Sequence, residues 1–462
     1  MARQQQETPV KYDHVRAAAL EAIIRIEQGD QTDTAVKDVL REKKFRPVDT
    51  RFFLQLVNGA TKMRRRLDHE IKFYLARPSA ELPYRLANIL RLGFYQLIFT
   101  DRVPAPAAVS ESVNLARHYT DRSQAGLVNA VLRARLREPQ RVTFASVEVD
   151  PVKHLADTHS YPDYFVEYCI QEFGVERTQS LLQQYNVRPH VTYRVNFLRA
   201  KPDEVANILQ KNEVEFSYGR YLPEFIHIET GGLPLESELV ATGKVFVQDE
   251  SAGLPVRLLN PKPGVSAVDL TAAPGGKATY IAIRMRNKGQ VTALDKSHQR
   301  LEVLLENAKR LGLKIISPVV CDMNEFKGGP FDRVLLDPPC SGWGTAGKNA
   351  DLRWSKKPRD IENLVKMQTK MIDRAARLVK PGGILVYSTC TIIRAENDQV
   401  VEEFLLRNPE FEIESASQFF PEDIVNERGF VKTYPVCDKL DGAFCARLKR
   451  RVHAGKRRAI KP

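Results

Sequence analysis

Two cysteines occupy positions from which a thiol could attack a substrate. Cys340 follows the apolar run FDRVLLD and two prolines, and Cys390 follows GGILVYST. Each run predicts a buried strand, so each cysteine stands just beyond a strand end, where ligand sites form in parallel sheets. A partly exposed cysteine whose thiolate is favoured by nearby charge can act as a nucleophile in covalent catalysis. We expect both to be reactive, although a free cysteine more often packs as a small buried hydrophobic residue.

A glycine-containing loop predicts a site for a nucleoside-bearing cofactor. The strand SAVDL leads into TAAPGGKATYIA, where Gly275 and Gly276 let the backbone approach a ligand before a helix begins. Asp295 ends the next strand and is placed to accept hydrogen bonds from ribose hydroxyls. Asp322 ends the third strand, within reach of an adenine, and Asp337 ends the fourth. The loop is neither GxGxxG nor GxxxxGKS/T, which argues against a nicotinamide or nucleoside-triphosphate site.

The order of the predicted elements places these residues in an α/β domain. From about residue 264, short strands alternate with helices such as SHQRLEVLLENAKRL and RDIENLVKMQTKMIDRAARLV. This alternation indicates a Rossmann-like, mostly parallel sheet that is covered on both faces. Ligands bind such sheets at the carboxyl ends of the strands. We assign this domain to residues 251–448.

Two domains are predicted before the α/β domain, and a tail after it. Residues 13–138 place apolar side chains at helical spacing, which predicts an all-α domain of five to seven helices over residues 1–140. Residues 141–250 contain the strands HVTYRVNFLRA and FIHIETG around the helix DEVANILQKN, which indicates a small α+β linker subdomain. Residues 449–462 form a basic tail.

The positive charge is concentrated outside the α/β domain. The 462-residue chain has a formal net charge of +13, of which +8 lies in residues 1–140 and +7 in residues 449–462, leaving about −2 between them. Such a distribution is typical of a catalytic domain flanked by basic regions that bind a polyanion. By composition alone, Lys and Arg residues that merely keep the protein soluble would explain it equally well.

The remaining features predict a cytosolic protein without a metal; we expect a monomer, although the sequence does not reveal the oligomeric state. None of the six cysteines forms a CxxC pair, and few, scattered cysteines in a long chain are typical of a reducing compartment. Without CxxC or HxxxH spacing, metal ligation is not expected. The first residues, MARQQQETPVKYD, lack the apolar core of a signal peptide, and no apolar run reaches the length of a membrane span. We expect Cys169, Cys321 and Cys445 to be buried and leave Cys437 open.

The motifs around the candidate residues resemble those of RNA 5-methylcytosine methyltransferases. The matching stretches are VDLTAAPGGKATYIA, VLLDPPCSGWGT and VYSTCTIIRAENDQVVEEFL. The first 140 residues resemble NusB-like RNA-binding domains through RFFLQLVNGATKMRRRLD, ILRLGFYQLIF, AVSESVNLAR and GLVNAVLR. Over almost the whole chain, this arrangement is similar to that of the bacterial small-subunit (16S) ribosomal RNA cytosine-5 methyltransferases.

This resemblance implies a reaction and roles for the candidate residues. The cysteine of the serine-threonine-cysteine motif, here Cys390, would be the nucleophile, and that of the proline-cysteine motif, here Cys340, would assist product release. A thiolate that adds to carbon 6 of cytosine makes carbon 5 able to attack a methyl group, after which a base must remove the carbon 5 proton. Asp337 is placed to hydrogen-bond or protonate ring nitrogen 3.

The resemblance also implies the partners. The methyl donor would be S-adenosylmethionine, and the substrate would be ribosomal RNA of the small subunit. The implied cofactor contacts are Thr271, Ala272, Ala273, Pro274, Gly275, Gly276, Lys277, Asp295, Asp322 and Asp337.

Some segments depart from the family pattern. Thr271 stands where the family often has cysteine and Pro338 where it often has alanine, and we expect little effect from either. The segment WGTAGKNADLRW also differs from the commonest form, and we expect it to meet RNA. In the helical domain, the basic side chains of residues 62–66 would either face RNA phosphates or form a solvated helix face.

Three other functions stay open at this stage. A DNA cytosine-5 methyltransferase would use Cys340 as its nucleophile and would not need Cys390. A non-catalytic RNA-binding adaptor would keep the fold without the reaction. A related enzyme would methylate transfer RNA or large-subunit RNA instead.

Overall fold

A computed structural model describes residues 12–77, 81–230, 238–438 and 440–452. The chain forms two compact units: one contains the residues up to Val187 together with Lys348–Ser355, and the other contains Arg188–Gly347 and the residues from Lys356 onward. Within the described ranges, no helix combines the length and apolar character needed to cross a membrane.

The first unit is helical, as the spacing of its apolar residues predicted. Its helices are α1 (His14–Glu27), α2 (Thr32–Glu42), α3 (Pro47–Lys62), α4 (Arg64–Lys72), α5 (Tyr84–Phe99), α6 (Ala105–Tyr119), α7 (Arg122–Arg137), α8 (Pro151–His159), α9 (Asp163–Phe173) and α10 (Val175–Asn186). α1 begins after Asp13, whose carboxylate accepts a hydrogen bond from the backbone N–H of Arg16. One hydrophobic core joins α1 through α7, and α8–α10 continue the helical unit past residue 140.

The segment 348–355 packs into this helical unit, although it is far away in sequence. Arg353 is buried, and its guanidinium lies 3.9 Å from the ring centroid of Tyr161. The indole N–H of Trp354 donates to the carbonyl oxygen of Thr61 over 2.7 Å. Arg353 and Trp354, at the end of WGTAGKNADLRW, therefore have structural contacts within the helical unit, and the expectation that this segment meets RNA stays a prediction.

The basic side chains at the junction of α3 and α4 form contacts within the helical unit. They are Lys62, Arg64, Arg65 and Arg66. Arg65 pairs with Asp157 and Arg66 with Glu70, each over 2.7 Å, and both acids are buried. Burial lowers the pKa of Lys62 to about 8. Arg65 and Arg66 therefore stabilise the helical unit through ion pairs, and phosphate binding by this group stays a prediction.

The second unit begins with a small α+β region. Its elements are β1 (Val191–Val195), α11 (Pro202–Lys211), β2 (Glu215–Tyr218), β3 (Phe225–Thr230), α12 (Glu238–Ala241) and β4 (Val245–Val247). The four strands form an antiparallel sheet in the order β2-β3-β1-β4.

An eight-stranded sheet forms the rest of the second unit. Its strands are β5 (Ser266–Asp269), β6 (Gln290–Asp295), β7 (Ile316–Val320), β8 (Phe331–Leu336), β9 (Val379–Thr389), β10 (Phe411–Ile413), β11 (Val431–Thr433) and β12 (Ala443–Arg450). The helices that follow α12 in the chain are α13 (Leu254–Leu259), α14 (Gly276–Arg284), α15 (His298–Leu311), α16 (Leu352–Ser355, in the helical unit), α17 (Pro358–Arg377), α18 (Asp398–Arg407) and α19 (Pro435–Asp438).

The sheet order confirms the Rossmann-like fold predicted from the sequence. Strands β9, β8, β5, β6 and β7 are neighbours in that order and run parallel, while β12 pairs antiparallel with β9 and β10. Parallel neighbours end at the same edge, so the loops after β5, β6, β8 and β9 share one side of the sheet.

Alternating side chains bury both faces of this sheet. In β9, Ile384 and Val386 belong to one hydrophobic core, and Leu385 and Tyr387 belong to the core on the opposite face. Since both faces are covered, the edge that carries the strand ends is where polar chemistry meets solvent.

The predicted basic tail begins later than residue 449. Lys449 and Arg450 are the last residues of β12, and Arg450 pairs with Phe411 of β10. The alternation of apolar residues in AFCARLKR extends the strand through these two cations, which the charge pattern alone had assigned to the tail. Residues 453–462 lie outside the described part of the chain.

Gly59 of α3 lies against Tyr95 of α5, so a substitution at Gly59 tests the packing of the helical core. A Cβ atom at Gly59 would overlap the ring of Tyr95, whereas a Cβ atom at Gly126 of α7 would meet nothing within 4 Å. Both substitutions to alanine increase helix propensity, so the difference in stability between the two variants measures the cost of the overlap with Tyr95. We expect Gly59→Ala to be less stable than Gly126→Ala by about 1–3 kcal/mol, measured by hydrogen exchange in α3 and α5. Equal protection in the two variants would show that the ring of Tyr95 moves aside freely.

Candidate active site

The two strand-end cysteines meet at one edge of the large sheet. β8 and β9 are adjacent parallel strands, with Leu336 paired to Tyr387 near their ends. Beyond them, the Sγ atoms of Cys340 and Cys390 lie 3.3 Å apart, within hydrogen-bonding distance for sulfur. Cys390 is exposed and Cys340 is half-buried. The sequence predicted the shared edge, and the structure adds direct contact between the thiols.

The two thiols differ in their surroundings. The hydrogen bond to Cys390 and burial raise the pKa of Cys340 well above its usual value, and the carboxylates of Glu396 and Asp337 add to this effect. Cys340 is therefore a neutral thiol near pH 7. A neutral Cys340 can donate its S–H to the Cys390 sulfur, 3.3 Å away.

A half-buried ion pair lies beside the cysteines. The Nζ atom of Lys277 is 2.5 Å from Oδ2 of Asp337, whose Oδ1 accepts a hydrogen bond from Ser388 Oγ over 3.1 Å. Burial alone would lower the pKa of Lys277, but Asp337, with a smaller contribution from Cys390, raises it above the usual value. Lys277 is therefore a cation at this edge of the sheet near pH 7.

The loop between β5 and α14 forms a cradle that side chains would fill. Gly275 has a φ of +108°, and a Cβ atom there would lie 2.9 Å from Cγ of Leu304. A Cβ atom at Gly276 would lie 3.2 Å from Nε2 of Gln248. At Gly275 the positive φ and the contact with Leu304 both require glycine, whereas at Gly276 the end of the Gln248 side chain would have to shift slightly. α14 begins at this point.

The other predicted residues of the loop lie around the cradle. Thr271 donates its hydroxyl to the carbonyl oxygen of Asp337 over 2.8 Å, which fastens the loop to the end of β8. Ala272 and Ala273 are buried and Pro274 is exposed. The threonine that departs from the family pattern therefore has a local structural role.

Four acidic residues follow neighbouring strands along the sheet edge. In spatial order they are Asp337 after β8, Asp269 at the end of β5, Asp295 at the end of β6 and Asp322 beyond β7. Asp295 is buried and accepts a hydrogen bond from the backbone N–H of Ser297 over 3.0 Å, while Asp322 is exposed. The edge thus offers carboxylates at increasing distance from the two thiols.

Sequence reasoning missed two residues of this edge. Asp269 is buried, and burial raises its pKa to about 7. Its position as the last residue of SAVD would have revealed it. Arg194 of β1 is also buried and donates to the carbonyl oxygen of Gly276 over 2.5 Å and to Thr279 Oγ1 over 3.0 Å. No signal in HVTYRVNF linked this arginine to a loop about eighty residues away.

The remaining cysteines agree with the expectation in two cases. Cys169 and Cys445 are buried, but Cys321 is half-buried, with its thiol 3.1 Å from the carbonyl oxygen of Asp322. Its place after the last residue of β7, at the open edge, explains the difference. The side chain of Cys437 lies outside the described part.

Comparison with known proteins decides the family. Residues 256–449 match the family described as 16S rRNA methyltransferase RsmB/F, residues 13–137 match the NusB family, and residues 161–233 match the ferredoxin-like domain of RsmF/B-like methyltransferases. The chain is 34% identical over 429 residues to the probable ribosomal RNA small subunit methyltransferase B of Bacillus subtilis, covering 92% of this chain and 94% of the relative. The chain belongs to the RsmB/F family.

Two further similarities extend over most of the chain. The ribosomal RNA small subunit methyltransferase B of Vibrio vulnificus is 32% identical over 406 residues, which cover 86% of this chain and 92% of the relative. The crystal structure of a protein called PH0851 has a TM-score of 0.78 and 28% identity, covering 94% of this chain and 98% of that one. Both the helical and the Rossmann-like parts of this RsmB/F protein are thus shared with known proteins.

S-adenosylmethionine is the methyl donor of the RsmB/F methyltransferases, and the loop after β5 suits it. The glycine cradle would accept the amino-acid part of the donor close to the backbone, and Asp295 stands where a ribose would be held. The exposed thiol of Cys390 lies at the same edge.

Gly275→Ala tests whether this cradle holds the cofactor. Strain at positive φ and overlap with Leu304 would displace the loop, and we expect the affinity for S-adenosylmethionine to fall about tenfold or more. Gly264→Ala is the matched control, since Gly264 also has positive φ (+89°) but has open space around its Cβ position. Isothermal titration calorimetry measures both. Equal affinities in the two variants would contradict the assignment of the loop.

Proposed function

We propose that this RsmB/F protein transfers a methyl group from S-adenosylmethionine to carbon 5 of a cytosine in 16S ribosomal RNA, through a covalent bond between Cys390 and the base. The observation that carries this proposal is the contact of the two thiols, 3.3 Å apart, at the sheet edge that also carries the glycine cradle. A single reactive cysteine would suffice for many reactions. Two in contact suit a reaction in which a covalent bond must form and later break.

The first step is the attack of Cys390. Cys390, as a thiolate, forms a bond to carbon 6 of the cytosine, and the electron pair of the carbon 5–carbon 6 double bond shifts towards carbon 4, which places negative charge on nitrogen 3. Carbon 5 thereby becomes nucleophilic. S-adenosylmethionine supplies an electrophilic methyl group for it.

The ion pair of Lys277 and Asp337 has a role in the same step. Negative charge develops on ring nitrogen 3 as the thiolate adds. We propose that nitrogen 3 takes up a proton from solvent and that the Asp337 carboxylate accepts a hydrogen bond from the resulting N–H, while the ammonium of Lys277, 2.5 Å from Asp337, offsets the charge of the carboxylate.

The last step returns the enzyme to its starting state. After methylation a base removes the proton from carbon 5, the double bond reforms, and Cys390 leaves as a thiolate. We assign assistance in this release to Cys340, because its sulfur touches that of Cys390 and its S–H can stabilise the departing thiolate. The target base must leave its stack to reach both thiols, so a single-stranded or loop cytosine is the favoured substrate.

The names of the relatives support 16S ribosomal RNA as the substrate. The relatives from Bacillus subtilis and Vibrio vulnificus are called small subunit methyltransferases, and they match this chain along both units. The family description for residues 256–449 also names 16S rRNA.

Alanine at each cysteine separates the two assigned roles. We expect Cys390→Ala to lower turnover by roughly three orders of magnitude or more, because it removes the nucleophile. Cys340→Ala keeps the nucleophile but slows release, so protein covalently bound to RNA should accumulate. The readouts are methyl transfer to 16S ribosomal RNA and denaturing electrophoresis of the protein–RNA adduct. Cys169→Ala, which removes a buried thiol in the helical unit, should leave both readouts unchanged.

The opposite pattern would favour the scheme of DNA cytosine-5 methyltransferases, in which Cys340 attacks. An active Cys390→Ala variant would therefore overturn the proposal. Bisulfite mapping of 16S, 23S and transfer RNA after reaction identifies the substrate, and methylation confined to transfer or 23S RNA would contradict the assignment to 16S.

A further inference from the structure

Two buried polar residues, Glu396 and Asn397, lie between β9 and α18. Glu396 is 0% exposed and Asn397 is 3% exposed. A carboxylate without access to water is unfavourable unless hydrogen bonds compensate for its lost hydration. Each of these two side chains therefore requires partners, and the partners belong to the segments that carry the two cysteines.

Glu396 holds the segment around Cys340. Its carboxylate accepts hydrogen bonds from the backbone N–H of Ser341 over 2.8 Å and from the Ser341 hydroxyl over 2.5 Å. It also accepts one from Nε2 of Gln368 over 2.9 Å, and the same nitrogen donates to the carbonyl oxygen of Pro339 over 2.9 Å. The residues before and after Cys340 are both fixed, which sets the direction in which its side chain leaves the backbone.

Asn397 holds the segment around Cys390. Its Oδ1 accepts the hydroxyl of Thr389 over 2.5 Å, and its Nδ2 donates to the carbonyl oxygen of Thr391 over 2.9 Å. These are again the residues directly before and after the cysteine. The side-chain amide thus spans Cys390 with one acceptor and one donor.

A third contact joins the two cysteine segments. The hydroxyls of Ser341 and Thr391 are 2.8 Å apart and are both buried. The hydroxyl of Tyr387 donates to the backbone carbonyl oxygen of Glu396 over 2.7 Å, which anchors the network to β9. The network therefore runs without interruption from one cysteine segment to the other.

We propose that Glu396 and Asn397 are positioning residues that set the distance and direction between the two thiols: Glu396 fixes Cys340, and Asn397 fixes Cys390. The effect of this positioning on catalysis rests on the function proposed above, whereas the positioning of the thiols themselves does not. Because reaction rates depend steeply on the alignment of reacting groups, a loosened network should slow chemistry more than it weakens substrate binding.

Glu396→Gln changes the network with little change in volume. The amide puts N–H groups where Ser341 and Gln368 need acceptors, so at least one buried donor loses its partner. The matched control is Glu403→Gln, the same chemical change at an exposed residue of α18. Ser341→Ala is a milder second variant that removes one donor and the contact to Thr391. It keeps the test informative should Glu396→Gln fail to fold, as judged by its melting temperature.

The first readout measures the thiols without any reaction on RNA. Glutathione disulfide oxidises Cys340 and Cys390 to a disulfide: two protons and two electrons leave the thiols, and the oxidant is reduced to two molecules of glutathione. We expect the rate, followed by peptide mapping of the 340–390 link, to fall at least tenfold in Glu396→Gln and not in Glu403→Gln. Loss of the Glu396 charge, which helps to raise the pKa of Cys340, would by itself increase this rate at neutral pH. A decrease in the rate of disulfide formation would therefore show that the two thiols have lost their alignment.

The second readout is steady-state kinetics of methyl transfer. We expect kcat of Glu396→Gln to fall 10- to 100-fold, with KM for RNA and the affinity for S-adenosylmethionine within twofold of those of the unaltered protein. Thr391→Val, which removes the joining hydroxyl, should lower kcat, and Thr391→Ser, which retains it, should restore most of it. A purely structural role for the network would lower melting temperature without this split between kcat and KM.

The outcomes separate this proposal from the proposed function. If the unaltered protein methylates no cytosine but the disulfide rate still falls in Glu396→Gln, the function is wrong and the positioning role stands. If the disulfide rates of Glu396→Gln and Ser341→Ala equal that of Glu403→Gln, the positioning role is wrong, whatever the activity.

Discussion

The parallel pairing of β8 with β9 is the constraint on which the active site depends. The register that places Leu336 beside Tyr387 makes both strands end at the same edge, and the two cysteine segments leave the sheet side by side. Fifty residues of sequence, including α17, separate the two thiols, and only the closure of this crossover brings their sulfurs to 3.3 Å. The two hydrophobic cores that sandwich the sheet keep the strands in register, since slipping by one residue would exchange the buried sets of β9.

The two thiols also differ in their electrostatic surroundings. The half-buried ammonium of Lys277 lies among the carboxylates of Asp269 and Asp337, beside the exposed Cys390. Cys340 is more enclosed, and its hydrogen bond to Cys390 and its burial keep it protonated. One edge of one sheet thus brings together an exposed thiol, a more enclosed neutral thiol and a lysine ammonium.

Much of this site could be predicted from the sequence because its residues follow strand ends. Strand periodicity, glycines and acids at strand ends are local signals, and they located the loop of Gly275 and both cysteines. The failures come from contacts between distant segments. Nothing local shows that Arg353 leaves the α/β sequence to become buried beside Tyr161, or that Arg194 of β1 holds the loop before α14.

Charge patterns were the least informative signal for the same reason. The cations at the junction of α3 and α4 looked available for phosphates, yet Arg65 and Arg66 are paired with buried acids within the helical unit. Net charge by region describes the long-range field of a protein, while the role of each cation depends on which acid the fold brings to it.

The most direct test of the central claim is to trap the covalent bond between protein and base. In RNA that carries 5-fluorocytosine, carbon 5 bears fluorine, which cannot leave as a cation, so elimination is blocked and the adduct persists. After incubation of the unaltered protein with S-adenosylmethionine and such a 16S transcript, mass spectrometry of the digested adduct identifies the modified cysteine. The account predicts a fluorinated, methylated pyrimidine bound to the peptide that contains Cys390. An adduct on Cys340, or full inhibition with no adduct on either cysteine, would contradict it.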